Sequence, residues 1–324
     1  MKILVTGSQG FIGSNIVTRL LDLGYKVIGI DKINKIDSAE KWSQEHNKII
    51  NSNLKNKNFK FIHWNLLNEH KFYDPEQEKL YDILNEKIDI VIHCAAIVGV
   101  TNHIKDTGLF LKNLELDQRI IRWCDKSHLI YLSSSEVYGD SKEAMGDSSD
   151  LRISSELRSN YALEKLFAER IIQSKLKNWT IVRPFNVTGP TQNPENGVLP
   201  GFIHKAKHNK DINVYRKTID GLNPKRTFLH IWDFVNAIEH IILNLKKYNQ
   251  EIVNIGSQNS YDIYVLAELI VNKLKSKSKV YRAVCNKNDN VILNRYPYYP
   301  IFNDIQNYKV KDLQEIIEDI VSIY

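Results

Sequence analysis

The sequence predicts an α/β chain built on a doubly wound parallel sheet, and three observations carry that prediction. Short apolar runs rich in Val and Ile alternate with segments of helical period along most of the 324 residues. The first run leads directly into a glycine-rich turn, Gly7-Ser-Gln-Gly10-Phe-Ile-Gly13. Ile88-Asp-Ile-Val-Ile-His-Cys-Ala-Ala96 is apolar almost throughout, as a strand covered on both faces must be.

Taken in order, Lys2–Thr6 reads as a strand and the glycine turn breaks it. Ile12, Ile16, Val17, Leu20 and Leu21 then recur at helical spacing, with Gly24 at the C-cap region. Tyr25–Ile30 reads as a second strand and Asp31 stands at its end. This order is that of a Rossmann dinucleotide site. Glycines let the backbone approach a pyrophosphate, the helix N-terminus offers unpaired N–H groups, and the acid accepts bonds from the ribose. The glycines are spaced G-x-x-G-x-x-G. Asp31 selects NAD over NADP, because a carboxylate repels a 2′-phosphate, although Lys32 beside it works against that choice.

Residues 33 to 58 read as polar and irregular, Phe59–Trp64 as a strand, Leu109–Lys126 as a helix and His128–Ser133 as a strand. Tyr161–Lys177 reads as a helix and Trp179–Phe185 as a further strand. Past Asn186 turn formers accumulate from Thr188 to Gly197, and a helix is expected over Val198–Lys210. Short strands at 211–215 and 226–230, a helix at 231–247, a strand at 251–256, a helix at 264–275 and a polar, tyrosine-rich tail complete the chain. The expected division is a Rossmann domain over 1–185, with 226–256 returning to it, and an interleaved substrate domain over 186–324.

Hydrophobic content of 43% and charged content of 25% are those of a soluble globular protein. The net charge of +6 comes from scattered lysines, which suits an anionic small molecule and does not point to nucleic acid. No apolar run reaches membrane-spanning length, and the N-terminus opens on a strand instead of a signal peptide. Cys94, Cys124 and Cys285 are widely separated and read as reduced thiols of a cytoplasmic protein. His204 and His208 share a helix face but have no third ligand at suitable spacing, so no metal is expected. His93 reads as a buried, hydrogen-bonded histidine with a positional role.

Tyr161 and Lys165 are four apart at the start of a helix and share one face. Bringing a phenol from about pH 10 to about 7 takes ~4 kcal/mol. An ammonium about 4 Å away at an effective dielectric of about 20 supplies about that much. The pair therefore suffices, by this reasoning, to make Tyr161 a general base. Tyr138 and Lys142 have the same spacing but fall in a turn, where four residues do not align side chains. Ser133-Ser134-Ser135 follows a strand, at the sheet edge where ligands bind.

Six motifs stand in order: Thr6-Gly7-x-x-Gly10-Phe11-Ile12-Gly13, His93-x-Ala95-Ala96, Ser133-Ser134-Ser135-x-Val137-Tyr138-Gly139, Tyr161-x-x-x-Lys165, Arg183-Pro184-x-Asn186-x-x-Gly189-Pro190 and Arg226-x-Phe228-x-His230-x-x-Asp233. Through them the chain resembles the extended short-chain dehydrogenase/reductases of the NAD-dependent epimerase/dehydratase family, which act on nucleotide sugars. The likeness implies that Ser134 is the catalytic hydroxyl, Tyr161 the base and Lys165 its helper, with Glu136 as a further catalytic carboxylate. It implies that Gly7, Gly10, Phe11, Ile12, Gly13, Asp31, Asn65, Leu66 and Ala95, with Tyr161 and Lys165, hold NAD. Asn65 stands where the family usually carries Asp, and its amide oxygen can still take the adenine amino group. Asn186 and Arg226 are expected on the diphosphate or sugar, Val198, Leu199, Val214 and Tyr215 along the nucleotide base, and Ser135, Arg158 and Arg295 at the substrate.

The implied chemistry is oxidation of the sugar C4 hydroxyl of a nucleotide-diphosphate sugar, followed by epimerisation, dehydration, decarboxylation or release of the 4-keto sugar. Glu136 matches the residue that removes the C5 proton in 4,6-dehydratases, but Ser135 replaces the aspartate of the dTDP-glucose type. Ser135-Glu136 also matches GDP-mannose dehydratases and UDP-glucuronate decarboxylases, and Arg158 and Arg295 match arginines of the decarboxylases. Glu136 as a salt-bridged residue without a chemical role stays open. A non-catalytic NAD sensor, or a reductase of small carbonyl compounds, are the rival readings. The likeness also implies a homodimer or higher homo-oligomer, through the helices near 109–126 and 161–177.

Overall fold

A computed structural model of the chain describes residues 1–33, 44–67, 86–98, 106–139, 160–216, 218, 221–284 and 295–323. Arg158, Lys142 and Cys285 lie outside the described residues. In chain order the elements are β1 (Lys2–Thr6), α1 (Phe11–Asp22), β2 (Lys26–Asp31), α2 (Gln44–Lys55), β3 (Phe59–His63), β4 (Ile90–His93), α3 (Gly108–Trp123), β5 (His128–Leu132), α4 (Asn160–Lys175), β6 (Trp179–Pro184) and β7 (Val187–Thr188). They continue as α5 (Val198–Lys207), β8 (Ile212–Arg216), β9 (Lys225–Thr227), β10 (Leu229–His230), α6 (Ile231–Leu243), α7 (Leu245–Tyr248), β11 (Glu251–Ile255), β12 (Ser260–Asp262), α8 (Ile263–Lys273), β13 (Val280–Val284) and α9 (Leu313–Ser322).

Seven strands form one sheet in the order β11-β6-β5-β4-β1-β2-β3, with every neighbouring pair parallel. Strand order reverses between β1 and β4, and a crevice at the carboxyl ends of the strands is expected there. Alternate residues of β1 face opposite layers, as strand geometry requires. Ile3 and Val5 pack with α1 and α6 residues such as Ile16, Leu20, Phe234 and Ile238. Leu4 packs on the other side with Ile120 of α3 and Ile172 of α4. A separate core joins Leu199 and Ile203 of α5, Val214 of β8, Leu266 and Ile270 of α8 and Ile317 of α9.

Three expectations change. The stretch expected to be irregular holds α2, whose inward face is polar: His46 Nε2 meets the Gln9 carbonyl at 2.9 Å, and Asn53 bonds the Ser14 carbonyl and Thr18 Oγ1 at 3.0 Å each. Polar buried positions hide the apolar period by which a helix is read. The run 226–230 is two strands, β9 antiparallel to β12 and β10 parallel to β7. The tail contains β13, parallel to β8, and α9, which opens on a reciprocal Asp312/Glu315 capping box. Among the described residues no helix is long and apolar enough to cross a membrane.

Candidate functional site

The glycine turn is shaped by close backbone approach. Gly7 has φ +67°, and a Cβ on Gly13 would lie 2.1 Å from the Gly7 carbonyl oxygen. Only glycine permits this at Gly13, so α1 starts hard against the end of β1. Asp31, at the end of β2, receives the Gln9 N–H on Oδ2 and the Ile33 N–H on Oδ1, both at 2.9 Å. Burial pushes its carboxyl above the usual value, and those backbone donors pull the other way.

Gly7, Gly10, Gly13 and Asp31 line a cavity of about 440 Å³, together with Phe11, Ile12, Asn65, Leu66, Ala95 and Asn186. Nine of the expected cofactor residues therefore share one crevice, at the switch point of the sheet. Asn65 Oδ1 accepts the Leu67 N–H at 3.1 Å, which leaves its second lone pair for another donor. Close backbone approach at Gly7 and Gly13, a helix N-terminus and a buried carboxylate at the end of β2 together fit a dinucleotide.

Ser134 caps a 3-10 turn over Ser135–Tyr138, its Oγ taking the Glu136 N–H at 3.1 Å. Its side chain lies close enough to the phenol of Tyr161 to lower it, and Glu136 lies close enough to act on that phenol electrostatically. Lys165 Nζ sits 5.9 Å from the Tyr161 ring centroid. The expected trio is thus assembled at the carboxyl edge of the sheet.

The electrostatic reasoning for Tyr161 needs correction. Burial raises its phenol above the ordinary value, Lys165 pulls it down, Glu164 and Glu136 raise it and Ser134 lowers it; the outcome is upward. Lys165 does not serve Tyr161 alone. Its Nζ donates to Tyr131 Oη at 3.0 Å and lies 3.4 Å from Glu164 Oε1. Burial acts to lower Lys165, but Asp117, Glu164 and Tyr161 outweigh it and hold the amine charged. One ammonium shared among several anions cannot provide the full shift to a single phenol.

His93 is buried between Thr6 Oγ1 at 2.6 Å and Asp117 Oδ1 at 2.9 Å. The Thr6 oxygen already accepts the Ala95 N–H, so its hydroxyl donates to Nδ1 and the ring proton is assigned to Nε2, facing Asp117. Burial and the nearby Lys165 charge push His93 down to about 3, so it stays neutral. Its expected positional role fits this geometry.

Arg295 and Glu136, expected to act separately, form one bidentate ion pair, with Nη1–Oε1 2.5 Å and Nη2–Oε2 2.9 Å. Arg295 is almost fully buried, and its Nε has no hydrogen-bond partner among the described residues. Asn186, at φ 40°, donates through Nδ2 to the Thr227 carbonyl at 3.0 Å. Arg226 is half-buried and donates to the Lys225 carbonyl at 2.7 Å. Ser135 is almost fully buried beside Ser134. Leu199 and Val214 are core residues and not open to a nucleotide base, because β8 alternates in and out and α5 turns Leu199 inward. Val198 and Tyr215 are exposed.

Sequence reasoning missed Asp117, Tyr131 and Glu164. Asn113, Leu116, Asp117, Ile120 and Ile121 are the buried face of α3, so a charged residue inside that stripe was the available signal.

The family model described as "NAD dependent epimerase/dehydratase family" matches residues 3–256. A dTDP-D-glucose 4,6-dehydratase of Dictyostelium discoideum is 32% identical over 84% of this chain, which spans 62% of that protein's length. A UDP-N-acetyl-alpha-D-glucosaminuronate decarboxylase of Bacillus cytotoxicus is 30% identical over 86% of this chain and 82% of that protein. Among solved structures, Pal from Bacillus thuringiensis superimposes with a TM-score of 0.81 at 25% identity, covering 100% of this chain and 98% of that one. The chain belongs to the NAD-dependent epimerase/dehydratase family, and its cofactor is NAD.

Proposed function

We propose that the chain oxidises the C4 hydroxyl of a nucleotide-diphosphate sugar, with Tyr161 taking the hydroxyl proton. The observation that carries this reading is the grouping of Ser134 and Tyr161 at the sheet edge, with Lys165 on the same helix. NAD, when bound, supplies the hydride acceptor and a positive charge near the phenol. The glycine turn and the α1 N-terminus would hold its pyrophosphate, Asp31 its ribose and Asn65 its adenine edge. Ser134 would hold the sugar hydroxyl against the Tyr161 oxygen, so that the proton could pass directly to the phenolate.

The smaller body of α5, β8, α8, β13 and α9 would carry the nucleotide end of the substrate. Asn186 and Arg226 stand at its junction with the large sheet and would meet the diphosphate. Leu111 of α3 and Phe167 of α4 are exposed apolar side chains on adjacent helices, which supports a homodimer through that face. Light scattering on the purified protein tests this, and a monomer at micromolar concentration would overturn it.

A second reading has its own observation. The Glu136–Arg295 pair puts a guanidinium in planar bidentate contact with a carboxylate at the catalytic edge, and Arg295 keeps an unused Nε donor. A substrate carboxylate on C5 could take over that contact. Oxidation at C4 would make such a uronate a β-keto acid. Breaking C5–C6 would then release carbon dioxide and leave the bonding electrons at C5, delocalised into the C4 carbonyl. This favours decarboxylation of a nucleotide uronate over dehydration.

The deciding experiment incubates NAD-loaded protein with UDP-, GDP-, dTDP- and CDP-sugars, uronates included, and follows product mass. Loss of carbon dioxide supports the second reading, and loss of water or of two hydrogens supports C4 oxidation alone. If no nucleotide sugar changes mass or epimeric composition, the proposed activity is wrong.

A further inference from the structure

Ser133, Tyr138 and Arg183 stand in the sequence motifs but have no part in the chemistry above, and they meet at one buried point with Glu169 of α4. Glu169 and Arg183 are almost fully buried and form a bidentate ion pair, with Nε–Oε1 2.9 Å and Nη2–Oε2 2.5 Å. Ser133 Oγ donates to the same Glu169 Oε1 at 2.5 Å. The third Arg183 nitrogen, Nη1, donates to Tyr138 Oη at 2.9 Å, and the guanidinium carbon stands 4.8 Å from the Tyr138 ring centroid. Tyr138 Oη in turn donates to Asn254 Oδ1 of β11 at 2.9 Å.

These contacts bracket the turn that carries Ser134 and Glu136. Ser133 immediately precedes Ser134, and Tyr138 ends the 3-10 turn over Ser135–Tyr138. Both ends of the turn are therefore bonded to one ion pair. The backbone supports the first end, because the Ser133 N–H donates to the Val182 carbonyl of β6 at 2.8 Å. The carboxylate of the pair belongs to the helix of Tyr161. Tyr161, Lys165 and Glu169 are four apart along α4, on successive turns of one side, with Glu169 about 12 Å along the axis from Tyr161.

We infer that the Glu169–Arg183 pair is a clamp that sets the placement of Ser134 against Tyr161, with Ser133 and Tyr138 as its two grips. A guanidinium is a rigid planar fork. Arg183 spends two nitrogens on the helix carboxylate and one on the turn, so it cannot follow one of them without releasing the other. The helix and the turn are held at a fixed separation by that plane. All four residues act through Ser134 and Tyr161, and are positioning residues. The effect on turnover rests on the proposed roles of Ser134 and Tyr161; the clamp itself does not.

Removing Glu169 or Arg183 would leave a buried charge unpaired, at a cost that threatens folding. The test therefore uses Ser133→Ala and Tyr138→Phe, which each delete one hydroxyl and keep the ion pair. Fluorine NMR of NAD-loaded protein carrying fluorotyrosine reads the site directly, with the Tyr161 signal identified by its loss in Tyr161→Phe. In both variants that signal should shift or split, while titration gives NAD affinity within about twofold of the wild type. In turnover, kcat should fall about 10–100-fold with KM nearly unchanged, since a misplacement of about 1 Å has that effect. A Tyr161 signal at its wild-type position in either folded variant would overturn the clamp, however far its Tm had fallen. A shifted signal with wild-type kcat would overturn the consequence for catalysis. A wild-type protein that turns over no nucleotide sugar would instead condemn the proposed reaction and leave the NMR result standing.

Discussion

Glu136→Gln tests the ion pair that ties the C-terminal segment to the catalytic edge. The substitution keeps the shape of the side chain and removes its charge, leaving the Arg295 guanidinium buried without an anion. Breaking a buried pair by removing one partner costs about 3–5 kcal/mol. The side chains are 3% exposed for Arg295 and 13% for Glu136, so the lower end, ~3 kcal/mol, applies. At about 2.1 cal/mol/K per residue, a chain of 324 residues has an unfolding entropy of ~0.7 kcal/mol/K, which converts ~3 kcal/mol into a fall in Tm of ~4 °C. Removing both charges with Glu136→Gln and Arg295→Met should recover most of that loss, because the double variant buries no unpaired charge. Differential scanning calorimetry of the wild type, both single variants and the double variant reads the coupling directly. A Glu136→Gln protein whose Tm lies within about 1 °C of the wild type would refute the reasoning, since by the same conversion that is under ~1 kcal/mol.

Three further outcomes follow from the geometry. Gly13→Ala forces a methyl carbon to 2.1 Å from the Gly7 carbonyl oxygen, so the turn must open, and isothermal titration should show NAD binding weaker by ~10–100-fold. Tyr161→Phe should bind NAD like the wild type and turn over no nucleotide sugar, as read by titration and by product mass. Burial lowers His46, His128 and His230 to about 4 and His93 to about 3, so each binds a proton more readily in the unfolded chain, and stability must fall as pH drops from 6.5 through those values. The loss is about 1.4 kcal/mol per pH unit for each fully buried ring, and Glu164, shifted upward, opposes it; urea unfolding near pH 7 and pH 5 checks the net sign.

The large sheet was legible because its strands are apolar runs and its first turn must be glycine. Gly7, Gly13 and Asp31 announce their roles through backbone geometry and position, which a sequence displays. What escaped was held by polar contacts. Helix α2 buries His46, Ile50 and Asn53 on one side, and only one of the three is apolar. The β13 and α9 segments looked like a tail because their partners, β8 and α5, lie far back in the chain. Arg295 and Glu136 are 159 residues apart, and no spacing rule connects them. The expectation for Tyr161 failed for a related reason. Spacing puts Lys165 on its face but is silent about the other anions that the fold brings to the same ammonium.

That sharing defines what the site must do on binding. In the chain alone, burial, Glu164 and Glu136 all raise the Tyr161 phenol, with Lys165 and Ser134 opposing them. A competent site needs that balance reversed, and two of the opposing anions can be discharged. Glu164 is neutral while it keeps a proton. Glu136 is already matched by Arg295, so its effect on the phenol is that of a dipole more than of a free anion. A substrate that drew Arg295 toward its own carboxylate would strip this compensation from Glu136 and raise the phenol again, unless Glu136 took up a proton. Glu136 would then stand beside the sugar as a neutral acid able to donate at C5, which is the proton that decarboxylation requires. Under dehydration Arg295 would stay on Glu136 and no such acid would form. Solvent deuterium should therefore appear at C5 of a decarboxylated product, and Glu136→Gln should slow that product far more than it slows oxidation at C4. Equal slowing of both would show that Glu136 and Arg295 act only as a structural pair.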